Sequence, residues 1–360
     1  MNVSRLSKSR LFPAIFFIFF SANLAAQELK LLPIEASSPK EDLRKKIFTT
    51  RISERRCEIL SRDPVPNISV DSELQSTVKD LLSSLQTRND KSLLKMFNPR
   101  LKVKLPQISN AFSKLAKITG PNPQITNYRT VALNSPTGAG DGIECEDTGV
   151  LVHPLYGYPL TIGLWFQALG DEEVARIFIE LVPSKTDWTI GAWHIQQWSH
   201  NSMDFSQWYE LGLTEAKAGR KAGAFIAADL SAKLLDGGGF LTFPVMNDAI
   251  ALRDQQMTRE VWHKEIQSTF LEDKVIYTST LFVKKGAGVL IRFGIKGEKS
   301  ASDISSHCQN SLAKALDSSW GKVIQGIRCG YNLPAEKPDV EGVLGSMYVN
   351  KESLVIKNKP

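Results

Sequence analysis

The spacing of apolar residues predicts three helices between residues 69 and 120. The first carries one apolar stripe at helical spacing, made by Leu74, Val78, Leu81, Leu82 and Leu85. Ser69 or Asp71 is available to cap its N-terminus. A second, short helix begins at Asn89 or Asp90 and ends before Asn98-Pro99, because proline disfavours a helical residue before it. A third begins near Pro106 and ends at Gly120-Pro121.

Alternation with a period of two then predicts strands as far as residue 199. They are expected at 125–133, 143–153, 160–168, 174–181 and 187–199. In the last of these, strict alternation places Trp188, His194 and Trp198 on one face. Short turns separate the last three strands, which favours an antiparallel meander.

Three helices followed by an antiparallel sheet resemble the nuclear-transport-factor-2-like cone fold, which is also the ketosteroid-isomerase fold. The resemblance covers about residues 70–200. It is carried by the short second helix, with its Asn89-Asp90 start and its Met96-Phe97-Asn98-Pro99 stop, and by the tryptophan-containing strand 188–198. The chain departs from many members because no strand separates its second and third helices. The resemblance implies a bent sheet and a conical pocket used for catalysis, binding or dimerisation, so a homodimer is one expectation. It implies no particular reaction.

The second half of the chain predicts a helical hairpin and a further set of helices and strands. The hairpin, 206–219 and 221–235, is rich in alanine and ends at Gly237-Gly238-Gly239. Trp208, Leu211, Gly212 and Ala224 fall at spacings like those of a tetratricopeptide repeat, which stays an alternative to a plain connecting hairpin. The later elements are a helix at 247–272, strands at 274–284 and 287–296, a helix at 302–317, and strands at 322–331, 343–349 and 353–357.

These elements predict an α+β fold in several parts. The parts are a signal peptide (1–26), an irregular basic segment (27–68), a cone-like α+β domain (69–202), a helical hairpin connector (203–239) and a C-terminal α+β domain (240–360). In the cone-like domain, helices are expected to pack on a bent antiparallel sheet. Within the basic segment, only residues 41–60 could form a helix.

The first 26 residues have the three parts of a secretory signal. Arg5, Lys8 and Arg10 precede an apolar core at 11–20, and cleavage is expected at Ala25-Ala26-Gln27. The core is about half the roughly 20 residues that a transmembrane helix needs, although an uncleaved N-terminal anchor stays an alternative. No later stretch is apolar enough to span a membrane. The chain is therefore predicted to be periplasmic or secreted, with no stable membrane span after cleavage.

The net charge of the mature chain argues against nucleic acid as a partner. The full sequence has 44 basic and 38 acidic residues, a net charge of +6. Three of the basic residues lie in the signal, so the mature chain holds 41 against 38, a net charge of +3. This near balance does not favour a polyanionic surface as partner.

Four cysteines remain in the mature chain, and an even number in an exported protein predicts two disulfides. They are Cys57, Cys145, Cys308 and Cys329, and they allow three pairings. We prefer Cys57–Cys145 and Cys308–Cys329, because each bond then closes within one predicted domain. Free buried thiols are the alternative.

No motif in the sequence names a reaction. It has no G-x-S-x-G elbow, no Walker A loop and no His-Glu-x-x-His motif. Gly138, Gly140 and Gly142 follow Pro136 and precede a strand, which is typical of a turn. The five histidines are not spaced as a metal-binding pair, so no metal site and no cofactor is predicted.

His194 is the candidate catalytic residue, with Tyr128 as its candidate partner. A buried imidazole among aromatic side chains could act as an acid or a base near neutral pH. A packing histidine is the favoured alternative, because no carboxylate partner is identifiable. The candidate ligand-binding residues are Trp165, Trp188, His194 and Trp198. The rings of Trp165, Trp193 and Trp198 could stack on a sugar ring or another apolar ligand, although packing is the favoured alternative for them.

The sequence therefore favours a non-enzymatic binding or interaction protein of the cell envelope. Its partner would be another envelope protein or a small apolar or sugar-like ligand. The alternative is a small-molecule hydrolase or isomerase that uses His194 in the cone-like domain. A pocket filled by Trp and Phe side chains would favour interaction, and a polar pocket with a carboxylate beside His194 would favour the enzyme.

We predict that the protein leaves the cytoplasm and is cleaved near Gln27. N-terminal sequencing of protein recovered from the periplasm or the medium should begin at or close to this residue, because the cleavage site follows the apolar core. Recovery of soluble cytoplasmic protein that still begins with Met1 would overturn the prediction.

Overall fold

The computed structural model describes the chain from residue 56 to residue 352 with several gaps. The described residues are 56–61, 72–135, 142–332 and 343–352, except for 147, 156, 172, 185–186, 284–285 and 295–299. The predicted signal peptide, the cap candidates Ser69 and Asp71, and the predicted strand 353–357 lie outside them. Among the described residues, no helix is both long and apolar enough to cross a membrane.

Helices and strands are both abundant, which confirms the α+β class. The helices are α1 (Ser72–Gln86), α2 (Asp90–Met96), α3 (Leu105–Thr119), α4 (Phe205–Lys217), α5 (Lys221–Leu234), α6 (Met246–Gln256), α7 (Arg259–Thr269) and α8 (Ala301–Asp317). The strands are β1 (Arg56–Ser61), β2 (Gln124–Asn134), β3 (Ile143–Cys145), β4 (Val150–Val152), β5 (Leu160–Leu169), β6 (Val174–Pro183), β7 (Trp188–Gln197), β8 (Ser199–His200), β9 (Met203–Asp204), β10 (Leu241–Thr242), β11 (Lys274–Val283), β12 (Gly286–Gly294), β13 (Ile324–Asn332) and β14 (Val343–Asn350).

Three sheets organise these strands. The main sheet has the order β1-β2-β5-β6-β7 and is antiparallel throughout. The small sheet has the order β10-β4-β3. The C-terminal sheet has the order β11-β12-β13-β14, in which only β12 and β13 run parallel, because helix α8 connects them. A two-stranded ribbon, β8-β9, follows the main sheet.

Helices α1, α2 and α3 cover one face of the main sheet, which we call its helix face. The predicted stripe of α1 is buried there, with Leu74, Leu81 and Leu85 at 0% exposure. Full burial of such a side chain stabilises a fold by about 1.5–3 kcal/mol. The side chain of Asn89 caps α2 by accepting a hydrogen bond from the Ser92 N–H (2.9 Å), as the sequence predicts. Gly120, with φ +82°, ends α3.

Both predicted disulfides are present. Cys57 is bonded to Cys145, and Cys308 to Cys329. The first bond joins β1 to the small sheet, and the second joins α8 to β13.

The helix predicted for residues 41–60 is wrong at its end, because residues 56–61 form β1. This segment pairs antiparallel with β2, and the bond from Cys57 fixes it at the edge of the main sheet.

Two predicted elements are each divided in the structure. The strand expected at 143–153 is a hairpin of β3 and β4, because Thr148 and Gly149 donate their N–H groups to the Cys145 carbonyl and close a turn. Gly149 has φ +62°, which suits glycine. The helix expected at 247–272 is α6 and α7. It breaks at Met257, whose backbone is extended, and Thr258 then caps α7 by accepting from the Val261 N–H (3.2 Å).

A buried charged group fixes α5 to its neighbours. The carboxylate of Asp229 accepts from Arg253 of α6 (3.0 Å), from Lys233 (2.9 Å) and from the hydroxyl of Thr280 on β11. Lys233 also donates to the Thr280 carbonyl (2.6 Å). Every oxygen of this carboxylate therefore has a partner, which offsets the free-energy cost of burying the charge.

His200 connects the end of the main sheet to the C-terminal sheet. Its Nε2 lies 2.6 Å from the Val283 carbonyl and 2.9 Å from the Gly286 carbonyl, at the turn between β11 and β12. Its Nδ1 lies 3.0 Å from the side-chain nitrogen of Gln197. The side chain is 8% exposed, so these contacts are sheltered from water.

Candidate functional site

The candidate site residues lie mainly on the face of the main sheet that points away from α1–α3. We call it the covered face, because the small sheet and the segment 235–243 pack over it. Its core includes Trp165, Phe178, Leu235, Leu241 and Phe243, each at most 7% exposed. The disulfide Cys57–Cys145 holds the small sheet to the edge of this face.

A bulge at Gly191 decides which side chains of β7 reach the covered face. Ile190 lies opposite Leu181, and Ala192 lies opposite Glu180, so Gly191 is an extra residue on β7. Strict alternation is broken at this point. Trp188, before the bulge, belongs to the core of the helix face, whereas His194, after it, lies opposite Phe178 on the covered face. The structure therefore does not place Trp188 and His194 on one face.

The ring of His194 is fixed by backbone groups. Its Nε2 donates a hydrogen bond to the Asp236 carbonyl (3.0 Å). Gly238 lies directly over the ring, because a Cβ built on Gly238 would come within 2.3 Å of Nδ1. Burial, and to a smaller extent the charge of Lys114, lowers the pKa of His194, while the bond to Asp236 opposes the change. The neutral form of this half-buried imidazole is thus favoured, and its ring is held in one orientation.

A small cavity lies beside His194 on this face. Its volume is about 10 Å³. Its walls are formed by Trp165, Arg176, Phe178, His194, Gln196, Leu241 and Phe243. A volume of about 10–15 Å³ holds one water molecule, whereas ligand pockets measure roughly 300–1,000 Å³. The cavity cannot admit a substrate or a sugar ring without movement of the covering segment.

Arg176 lies among aromatic rings, and the carboxylate of Asp204 acts on its charge. Its guanidinium carbon is 3.2 Å from the ring centroid of Trp198 and 5.3 Å from that of Tyr128. The Trp198 ring also contacts Phe205 and Phe243, with ring centroids 5.8 Å and 6.0 Å away. Trp198 therefore contributes to packing and to a cation–π contact. Trp165 is likewise buried, at 4% exposure.

The structure does not bring Tyr128 to His194. Tyr128 is the extra residue of a second bulge, on β2, between Asn127 opposite Phe166 and Arg129 opposite Trp165. Strands β5 and β6 separate β2 from β7, which places the two residues about 14 Å apart across the sheet at the usual strand spacing. Burial raises the pKa of Tyr128, and the charges of Arg176 and Arg129 oppose the rise.

Glu180 is the buried acid that the sequence reasoning missed. It is 0% exposed on the covered face, opposite Gly163 of β5 and Ala192 of β7. Its two carboxylate oxygens lie 3.0 Å and 3.3 Å from the Leu155 N–H, which they accept. Burial raises the pKa of Glu180 to about 7, against the opposing effects of Thr161 and the Leu155 N–H. A single acid within the apolar run of β6 is the signal that could have identified it.

A second polar cluster lies at the C-terminal sheet. His307 places Nδ1 2.9 Å from the Tyr331 hydroxyl and Nε2 2.9 Å from a carboxylate oxygen of Asp273. The Tyr331 hydroxyl donates to the Ile304 carbonyl (3.2 Å), and the residue is 0% exposed. Burial raises the pKa of Tyr331, so its phenol stays protonated. The cluster ties α8 to the sheet and does not present a nucleophile.

The helix face, where the cone resemblance implies a pocket, is packed with aromatic side chains. The Trp193 ring meets Phe97 and Phe112 edge to face, with ring centroids 5.7 Å and 6.4 Å away. Trp188 belongs to the same core and is 9% exposed.

Among the described residues, no group of three or more His, Cys, Asp or Glu side chains is placed to hold a metal ion.

The chain matches no protein-family model, no curated protein and no solved structure. On the main sheet, Glu180 is fully buried, and the half-buried His194 has its Nε2 bonded to the Asp236 carbonyl.

Glu180→Gln should remove a pH-dependent destabilisation. The folded pKa of about 7 lies above the ordinary value of 4.5, so the folded state favours the protonated acid. The contribution of the protonated Glu180 to the free energy of unfolding is complete below about pH 4.5 and is lost as the pH rises through about 7. In urea unfolding, the variant should match the native protein near pH 4 and exceed it by up to about 3 kcal/mol near pH 8.5.

Glu144→Gln is the matched control, because Glu144 is exposed on β3. It should follow the native protein at both pH values. A Glu180→Gln variant that also follows the native protein at both values would show that this carboxyl is ionised at little cost.

Proposed function

We propose that the chain is an exported protein of the cell envelope that binds another protein through its surface and performs no catalysis. The observation that carries the proposal is that both faces of the main sheet are filled. Aromatic side chains, among them Trp193, Phe97 and Phe112, occupy the space on the helix face. The small sheet and segment 235–243 close the other face.

The two disulfides and the absence of a spanning helix among the described residues fit the periplasm or the extracellular space. Cytosolic thiols are kept reduced, and two bonds that tie β1 and α8 to their neighbours would not persist there. The predicted signal peptide is the independent support for this location. The compartment sets the class of partner, namely another exported protein.

The rival function, a hydrolase or isomerase at His194, receives less support. A general base must reach the proton that it removes, either directly or through one water molecule. The Nε2 of His194 is engaged by the Asp236 carbonyl, and Gly238 lies over Nδ1. The buried acid Glu180 is engaged by the Leu155 N–H, and the carboxylate whose charge acts on His194 is that of the exposed residue Asp236. A small apolar or sugar-like ligand is also disfavoured, because Trp165 and Trp188 are buried.

His194→Ala separates the two functions. A packing histidine leaves an unpaired carbonyl and lost contacts when it is removed, so we expect a loss of about 1–3 kcal/mol and a fall of a few degrees in Tm. A catalytic histidine would leave Tm unchanged. The control is His263→Ala, at a half-exposed position on α7, which should change stability by no more than about 0.5 kcal/mol. An unchanged Tm for His194→Ala, together with lost turnover or binding of a small molecule, would favour the enzyme.

A further inference from the structure

The C-terminal sheet has one buried face and one open face. On the buried face, which packs on α5 and α8, Val289, Ile291, Ile327 and Cys329 are 0% exposed. Strand alternation puts the intervening residues on the opposite side, which we call the open face. Its side chains are half-buried or exposed. They include Tyr277 and Leu281 of β11, Leu290 and Arg292 of β12, Arg328 of β13 and Tyr348 of β14.

All the charged residues of these four strands are cationic, and all of them lie on the open face. They are Lys274, Arg292 and Arg328. An ordinary solvated surface interleaves both signs of charge. The carboxylate of Glu352, beyond the end of β14, lies near Tyr348 and raises its pKa after the larger effect of burial. Among the residues that the structure describes on these strands and at the end of β14, the open face is thus cationic, with the acid Glu352 at its margin.

Glycines allow the planar side chains to lie flat on this face. A Cβ on Gly330 would come within 3.1 Å of the Arg292 side chain, and a Cβ on Gly326 within 2.8 Å of the Tyr348 hydroxyl. Arg292 also stacks on Tyr277, with its guanidinium carbon 5.2 Å from the ring centroid. These contacts hold the side chains in place before binding, which lowers the entropy cost of ordering them in a complex.

The composition of the open face is that of a protein interface. Tyr and Arg are enriched in such interfaces and dominate their binding energy. Four strands at about 4.8 Å spacing and eight residues at about 3.3 Å rise give a patch of roughly 500 Å². This is below the roughly 800 Å² per partner of a standard interface, which favours a transient contact.

The chemistry of the patch favours an acidic polypeptide over the other polyanions. Nucleic-acid binding depends on neutralising many phosphates, and three cations neutralise few. Each basic residue contributes about 1 kcal/mol to binding an anionic membrane, and three give only marginal attachment. A polypeptide that carries both carboxylates and apolar side chains can pair with Arg328 and Lys274 and also cover Leu281 and Leu290. We propose that the open face binds an acidic segment of a partner protein, an inference that rests on the proposed function and names its surface.

The test uses the full mature protein and a fluorescent random copolymer of glutamate and tyrosine as the probe. Fluorescence anisotropy should give a Kd on the order of micromolar for so small a patch. The double variant Lys274→Glu with Arg328→Glu should bind at least tenfold more weakly. The control is Lys79→Glu with Lys91→Glu, exposed positions on α1 and α2 that change the net charge equally, and it should bind within twofold of the native protein. If the first variant fails to fold, Tyr348→Ala, which keeps the charge, should weaken binding several-fold.

Three outcomes would overturn this inference. They are no binding of the copolymer, equal weakening by both double variants, and tighter Arg328-dependent binding of a 20-residue oligothymidine or of phosphatidylglycerol vesicles. These outcomes concern the open face alone and would not be evidence for a catalytic site at His194. The proposed function would instead fail on the stability and turnover of His194→Ala, so the two failures are distinguishable.

Discussion

Helix α5 is buried on nearly every side, and the packing of the described chain depends on it. Twelve of its fourteen residues are buried, and Lys221 and Lys233 are the two exceptions. Its small residues allow neighbours to approach closely: a Cβ on Gly212 of α4 would lie 3.4 Å from the Ala228 backbone nitrogen. A helix with apolar side chains on nearly every side has no stable place at a surface, so it must be enclosed by other elements, and its buried Asp229 is paired with Lys233 and Arg253.

The two ends of α5 contact different parts of the fold. Phe225, Ile226 and Leu230 lie in the core that the C-terminal sheet and α8 also form. At the other end, the Leu234 carbonyl accepts from Gln196 of β7, and Leu235 belongs to the core of the covered face. The segment that follows covers His194. The burial of α5 therefore positions both the closed layer over the main sheet and the sheet that presents the open face.

Much of this fold can be predicted from the sequence. The spacing of apolar residues, the residues that cap helices and the even number of cysteines each depend on chemistry that is local in the chain. The stripe of α1, the Asn89 cap and both disulfide pairings are of this kind. The candidate site is less predictable. One inserted residue, Gly191, reverses which face His194 occupies, and alternation alone does not mark it. Likewise Met257 is apolar and suits a helix, yet its buried, extended backbone ends α6. Both features are set by tertiary packing.

Because α5 contacts both the main sheet and the C-terminal sheet, we expect the two regions to unfold as one cooperative unit. Differential scanning calorimetry of the oxidised mature protein tests this most directly. A single transition should be seen, with the calorimetric enthalpy equal to the van't Hoff enthalpy. Phe225→Ala should lower that one transition as a whole, although its ring packs against Trp262 in the core that α5 forms with the C-terminal sheet. Two separate transitions, only one of them shifted by Phe225→Ala, would contradict the claim and would show that the C-terminal region folds independently.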